Sequence, residues 1–323
     1  MFDFTQCENG QNVFDTHGNH ANLAPFYGAG QSSDDTQIAC ASATSSAVDG
    51  HIKRDTQTPD AVNSDLIAAI VETYRQRVDL HRAEKSLTLQ IKAKCRRMCE
   101  GDKTEADVLY KSMLNGQKHA HAGTMVMVSQ PFVDARGIIQ AHRAECEKQL
   151  TKMAKELHVW PWAEAVKGFG ALSLASVVGE AGDLARFDTV SKFWKRMGLA
   201  VIGGGRQRLV AGAAAIEHGY NPARRSVVWN IGECLIKQQG DYRALYLERM
   251  VREVEKCWEE GLQHATTTAK TVASWANRGL PEPVKVSKVD ETQYRSCGHI
   301  HNRAKRYVEK RLMRELWKAW RQA

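Results

Sequence analysis

The chain of 323 residues contains no apolar run approaching the roughly 18 residues that a membrane-spanning helix needs, so no membrane partner is expected. It opens Met-Phe-Asp-Phe-Thr-Gln, with neither a basic nor an apolar segment behind it, and no secretory signal is read there. The eight cysteines are scattered and include no Cys-x-x-Cys turn, which fits reduced thiols in a cytoplasm and argues against a disulfide framework. Gly203-Gly204-Gly205 is not followed by the lysine spacing of a nucleotide-binding loop, so nucleotide hydrolysis is not expected. Before Leu157 there are no alternating apolar segments ending in Asp or Glu, the pattern that would set metal-binding carboxylates at strand ends. The resulting expectation is a soluble, cytoplasmic protein with no resident cofactor and no metal.

What the chain does contain is an ordinary globular balance, 43% hydrophobic and 25% charged, and enough length for one large or two ordinary domains. Its net charge of +8 is unevenly spread: residues 1–60 hold eight acids and two bases, so the remainder carries +14. A field of that size attracts polyanions. Residues 1–60 are rich in Asn, Gly, Ser, Thr, Asp and Gln and show no sustained period of 2 or 3.6. They read as a disordered leader whose isolated aromatics, Phe2, Phe4, Phe14, Phe26 and Tyr27, are candidate docking points.

Beyond the leader the spacing is helical. Leu66, Ile67, Ile70, Val71, Tyr74 and Val78, continuing through Leu87, Ile91 and Cys95, predict one long helix or a broken pair from an N-cap at Ser64 or Asp65 to about Cys99. A shorter helix follows from about Glu105 to Leu114, closing at Asn115-Gly116. Residues 117–130 read as a loop in which Met-Val-Met-Val forms a short strand. A second long helix is expected from about Phe132 to Leu157, with Ile138, Ile139, His142, Cys146, Leu150 and Met153 as a narrow stripe. Narrow stripes on polar helices suit coiled-coil pairing, so the two long helices are expected to form an antiparallel stalk, within one chain or across a homo-oligomer. The fold class is mainly α, divided into a leader (1–60), a long-helix region (61–157), a hairpin-bearing region (158–250) and a C-terminal helical region (251–323).

The most informative segment runs Val159-Trp160-Pro161-Trp162-Ala163-Glu164-Ala165-Val166-Lys167-Gly168-Phe169-Gly170-Ala171-Leu172-Ser173-Leu174-Ala175. An apolar residue between two glycines, flanked by helical segments, has the spacing of a helix-hairpin-helix. Gly168 and Gly170 would permit tight positive-φ backbone, and the free N–H groups of the next helix would face a phosphate. Lys167, Gly168, Phe169, Gly170 and Ala171 are therefore candidate backbone contacts; an ordinary tight turn between packed helices shares the spacing.

The run Glu180-Ala181-Gly182-Asp183-Leu184-Ala185-Arg186-Phe187 follows, then a helix ending Met197-Gly198-Leu199. With these residues the chain resembles the C-terminal domain of the insertion-sequence 110/116/902 transposase family, in which a Gly-apolar-Gly hairpin precedes a Glu-x-Gly-Asp-x-x-x-Phe run and a helix ending in Gly-Leu. The likeness continues through Ile216-Glu217-His218-Gly219-Tyr220-Asn221-Pro222-Ala223-Arg224-Arg225-Ser226 and Tyr242-Arg243-Ala244-Leu245-Tyr246, covering about residues 157–250. It implies a mobile-element relative that handles DNA, with RNA as a second candidate partner. The chain departs from the family where chemistry is concerned. Members carry an RNase-H-like domain with four metal-binding carboxylates, which the region before Leu157 does not show. They also use a serine shortly after the Gly-Leu element, whereas residues 200–212 contain none and Ser226 follows Arg225 on an expected helix. No catalytic residue is carried over, and a divalent metal would enter only if the chain were an active recombinase.

Further cations complete the candidate surface. Lys192, Lys195 and Arg196 lie beside the hairpin in sequence, and Arg206 and Arg208 on the glycine run, with Arg224 and Arg225, suit a second phosphate contact. Residues 295–323 hold nine Lys or Arg against Glu309 and Glu315, and Ile300, Ala304, Tyr307, Val308, Leu312, Leu316, Trp317 and Trp320 recur at helical spacing. A basic amphipathic helix presenting Arg303, Arg306, Lys310 and Arg314 is expected, either docking on nucleic acid or packing in the core with its charges solvated. Cys297-Gly298-His299-Ile300-His301 with Cys95 and Cys99 could form a zinc site only if tertiary structure brought them together. The expected function is DNA binding by a transposase-related protein, the alternatives being an active recombinase and a dimeric scaffold.

Overall fold

From residue 59 onward the chain is mostly helical, as the 3.6-residue spacing of its apolar positions dictates. The computed structural model describes the backbone of residues 59–322 and the side chains from 63 onward. The leader expected over residues 1–60 lies outside these residues, apart from Pro59 and Asp60, which open the first helix.

Helix α1 (Pro59–Met98), α2 (Lys103–Asn115) and α3 (Ala122–Glu156) make the stalk. At 40 residues, α1 is about 60 Å long. The pairing of α1 with α3 is antiparallel and within one chain: Arg77 meets Glu147 at 2.8 Å, Glu84 meets Arg143 at 3.3 Å, and Lys94 donates to the Val128 carbonyl at 3.1 Å. At the base Ile67, Ile70 and Tyr74 pack with Leu150 and Ala154; at the tip Ile91, Cys95 and Cys99 pack with Ala106, Leu109 and Met125 in a separate small cluster. The middle of the stalk is joined by the ion pairs. Helix α2 starts and stops where local chemistry directs, with the Asp102 carboxylate accepting from the Thr104 and Glu105 N–H groups and Gly116 ending it in the left-handed region.

Of the loop expected over residues 117–130, residues 117–121 connect α2 to α3, while the rest, including the expected Met-Val-Met-Val strand, forms the first turns of α3. Met125 and Ser129, four residues apart, are buried together while Val126, Met127 and Val128 face outward, so the segment uses a helical period and the apolar alternation was only apparent. Pro131 lies inside the helix, where its ring removes one backbone bond and leaves the rest of the long helix intact.

The remaining elements are α4 (Trp160–Ala165), α5 (Ala171–Ala181), a 3-10 turn (Leu184–Arg186), α6 (Val190–Arg196), β1 (Val201–Ile202), β2 (Gly205–Arg206), α7 (Ala214–His218), α8 (Pro222–Lys237), α9 (Asp241–Glu259), β3 (Gln263–Thr266), α10 (Ala269–Ala276), β4 (Val284–Lys285), β5 (Tyr294–Ser296) and α11 (Cys297–Gln322). Strands β1 and β2 form an antiparallel hairpin, and β3 is the centre of a parallel sheet between β4 and β5. This sheet corrects the expectation of a wholly helical region after residue 250. His264, Ala265 and Thr266 are buried in succession, as the middle strand of a covered parallel sheet requires, and so short a run has no alternation to read. One apolar cluster includes Ile67, Leu150, Leu174, Val228, Met250 and Leu312, so residues from the stalk, the hairpin-bearing region and the C-terminal region share a core.

Candidate nucleic-acid interface

The helix-hairpin-helix spacing produces a hairpin, α4 to α5, whose two glycines do different work. Gly168 has φ +90, and a Cβ there would lie 3.0 Å from the Cys234 carbonyl and 3.1 Å from the Leu235 Cα, so this glycine seats the hairpin against α8. Gly170 is extended (φ −79, ψ 174), correcting the expectation of positive φ, and it is exposed with open space where a side chain would go. It caps α5 without a side chain, which leaves the first-turn N–H groups of that helix free of any side-chain cap. Phe169 and Ala171 are core residues; Phe169 meets Trp162 edge-on at 6.1 Å between ring centroids. Their side chains therefore cannot contact a ligand, and only the hairpin backbone and exposed Lys167 can.

The candidate cations separate into groups. Arg196, Arg206, Arg224, Arg225, Arg306 and Lys310 converge where α6, the β1–β2 hairpin, the start of α8 and the middle of α11 meet. Arg196 Nε donates to the Glu180 carbonyl at 3.1 Å, and Arg224 pairs with the Glu180 carboxylate at 3.5 Å, which also accepts from the Tyr74 hydroxyl at 3.1 Å. Arg225 pairs with Glu309 at 2.8 Å, Arg306 donates to the Ala200 carbonyl at 3.0 Å, and Lys310 lies 4.7 Å from the centre of the Trp194 ring. Burial first, and neighbouring charge second, disfavours the charged form of three of them. Burial and then the charge of Arg225 push Arg306 below its usual value, burial and Arg224 do so for Arg196, and burial and Arg306 do so for Lys310. The Glu309 carboxyl is itself pushed up by burial, against the opposing pull of Arg225 and Lys305.

At the rim of this cluster Lys195, Arg206 and Arg208 are exposed. The strands carrying Arg206 turn through Gly203 (φ 54) and Gly204 (φ 75), a two-residue turn that needs residues tolerant of positive φ. Gln207, between the two arginines, is buried and holds the hairpin down: its amide donates to the carbonyls of Lys195 at 3.1 Å and His218 at 2.5 Å, and its oxygen accepts from the Ala200 N–H at 3.1 Å. Nothing in the sequence marks Gln207, because all its partners are backbone groups brought in by folding.

The C-terminal helix is not a peripheral arm. α11 runs through the core, burying Ile300, Ala304, Val308, Leu312, Met313, Leu316 and Trp320, together with Lys305 and Glu309. Arg303 faces α9 and pairs with Glu253 at 2.7 Å, away from the cationic cluster, while Arg314, half-buried like Arg306 and Lys310, follows them at four-residue spacing along α11. Lys192 pairs with Asp188, which lies just ahead of the N-cap of its helix. Cys297 lies in the main core while Cys95 and Cys99 lie at the stalk tip, so the two cysteine-bearing segments are not brought together. No protein-family model, curated protein or solved structure matches the chain.

Proposed function

We propose that the chain binds nucleic acid, DNA before RNA, as a transposase-related protein of a mobile element. The observation that carries this reading is the convergence of Arg196, Arg206, Arg224, Arg225, Arg306 and Lys310, whose ion pairs among the described residues reach only two carboxylates, Glu180 and Glu309. A polyanion lying across the exposed rim of Lys195, Arg206 and Arg208 would relieve that crowding. The hairpin backbone at Gly168–Gly170 offers a second contact, reached along α8 from Arg225 to Leu235, about 15 Å at 1.5 Å per residue. Both contacts grip phosphates and read no bases, so sequence-tolerant binding follows. Ser226 donates to the Pro222 carbonyl of its own helix at 2.9 Å, and the proposal gives it no part in strand cleavage.

The test is affinity for duplex DNA, single-stranded DNA and structured RNA from about 50 to 200 mM salt, where several phosphate contacts cost orders of magnitude. Binding that falls steeply with salt and weakens when Lys195, Arg206 and Arg208 are replaced by Gln supports the reading. Absence of binding at the lowest salt, or indifference to the triple substitution, overturns it. A covalent protein–DNA adduct would instead establish an active recombinase.

A further inference from the structure

A pocket of about 550 Å³ lies between α8, α9, α10, α11 and the end of β3, apart from the cationic face described above. Its volume is within the roughly 300–1,000 Å³ typical of small-molecule sites. Its walls carry Lys237, Arg243, Lys270 and Arg278 and a single carboxylate, Glu233. That carboxylate is already matched inside the protein. Lys305, buried, donates to it at 2.6 Å, and the His301 ring is 3.8 Å away. The four cations have no such match: among the described residues, none of them is paired with a carboxylate. Arg243 donates to the Ile236 carbonyl at 2.7 Å and Arg278 to the Ser274 hydroxyl at 2.6 Å, bonds that steady each guanidinium and leave further N–H groups available.

Topology adds to the charge. β3 and β5 are adjacent and parallel, so the chain leaves both at the same edge of the sheet. α10 starts shortly after Thr266 and α11 starts at Cys297 directly after β5, and Thr266, Lys270, Thr271, Cys297 and Gly298 from these junctions line the pocket. Two helix starts, with their partial positive charge, therefore stand at a cavity already walled by cations, the edge at which open parallel sheets bind ligands.

We propose that this pocket binds a phosphate monoester, its dianion held by Lys237, Arg243, Lys270 and Arg278. A singly charged carboxylate would leave most of that charge unanswered, whereas a phosphate dianion with several acceptor oxygens suits two guanidiniums and two ammonium groups. The hydroxyls of Thr271 and Ser274 supply neutral donors, and the remaining volume admits a nucleoside. The ester is either free in solution or the 5′ end of a nucleic-acid strand. This inference stands independently of the cationic face.

The experiment titrates the full chain with inorganic phosphate and with adenosine monophosphate, followed by ³¹P NMR and calorimetry. The same titrations are run on Lys237→Gln/Lys270→Gln, both exposed positions whose change leaves the thermal transition in place. Saturable binding that weakens about tenfold or more in the double variant is expected, since two charge-assisted contacts to the phosphate are lost. No saturation below about 10 mM ligand, or equal affinity in the variant, overturns the proposal. Oligonucleotides of one sequence with 5′-phosphate or 5′-hydroxyl distinguish the source: tighter binding of the phosphorylated strand assigns the pocket to strand ends, and equal binding assigns it to a free ester.

Discussion

Gly170 shows how one residue can separate binding from stability. It is exposed, extended and placed as the N-cap of α5, the backbone geometry at which Asp is favoured because its carboxylate accepts from the N–H groups of the first turn. Gly170→Asp is expected to raise stability by a few tenths of a kcal/mol while putting a negative charge where the hairpin would meet a phosphate. Thermal melting and filter binding should therefore move in opposite directions, with nucleic-acid affinity falling about tenfold; unchanged affinity would remove the hairpin from the interface. Gly168 cannot serve this purpose, since its positive φ and the Cys234 carbonyl 3.0 Å from a Cβ make any side chain a folding defect. Glu233 offers a second residue-scale test. His301 at 3.8 Å and Lys305 at 2.6 Å, against the opposing effect of burial, hold its carboxyl at about 2, below the ordinary 4.5. A depressed carboxylate contributes stability that is present above its unfolded value and lost as pH falls through the folded one. Glu233→Gln, which leaves Lys305 buried without its partner charge, should cost about 3 kcal/mol near neutral pH. In denaturant titrations that deficit should narrow between about pH 4.5 and 2.

Among the elements, α11 departs most from its sequence-based expectation. Ile300, Ala304, Val308, Leu312 and Leu316 repeat every four residues and define a buried line, which was legible. Lys305 and Glu309, one position beyond Ala304 and Val308, widen the buried face, and nothing local announces it. Their partners Glu233 and Arg225 come from α8, and Gly232 gives them room, since a Cβ there would lie 2.8 Å from the Glu309 carboxylate. Deleting residues 312–323 removes Leu312, Met313, Leu316 and Trp320 from the core. At about 1.5–3 kcal/mol per buried side chain, that loss is comparable with the whole stability of a domain, about 5–15 kcal/mol. The truncated chain is expected to lose its cooperative thermal transition by circular dichroism; a dispensable basic arm would leave the transition unchanged. In α3 the converse happened, as Met-Val-Met-Val suggested a strand and became helix once Met125 and Ser129 found buried places along the stalk.

For the molecule as a whole, charge was readable in amount and unreadable in arrangement. The +14 beyond residue 60 is a property of composition. Only the fold divides it into a crowded face beside the β1–β2 hairpin, a walled pocket beside β3, and ion pairs spent inside the protein, such as Arg303 with Glu253. If the crowded face meets phosphates, replacing Lys195, Arg206 and Arg208 by Gln should reduce the slope of log affinity against log salt by about 3, close to 1 for each contact removed. An unchanged slope would place the nucleic acid elsewhere.

The sequence by itself determined the elements whose signals are local. The stalk helices follow from apolar spacing, the ends of α2 from Asp102 and Gly116, and the hairpin from two glycines around a phenylalanine. Tertiary structure decided everything that depends on residues far apart. It closed the stalk within one chain, paired β3 with strands that come after it, buried the C-terminal helix with two of its charges, and walled a pocket with cations from α8, α9 and α10. The reason is physical: capping, turn geometry and helical period act over a few residues, whereas burial and charge pairing depend on neighbours that exist only once the chain has folded.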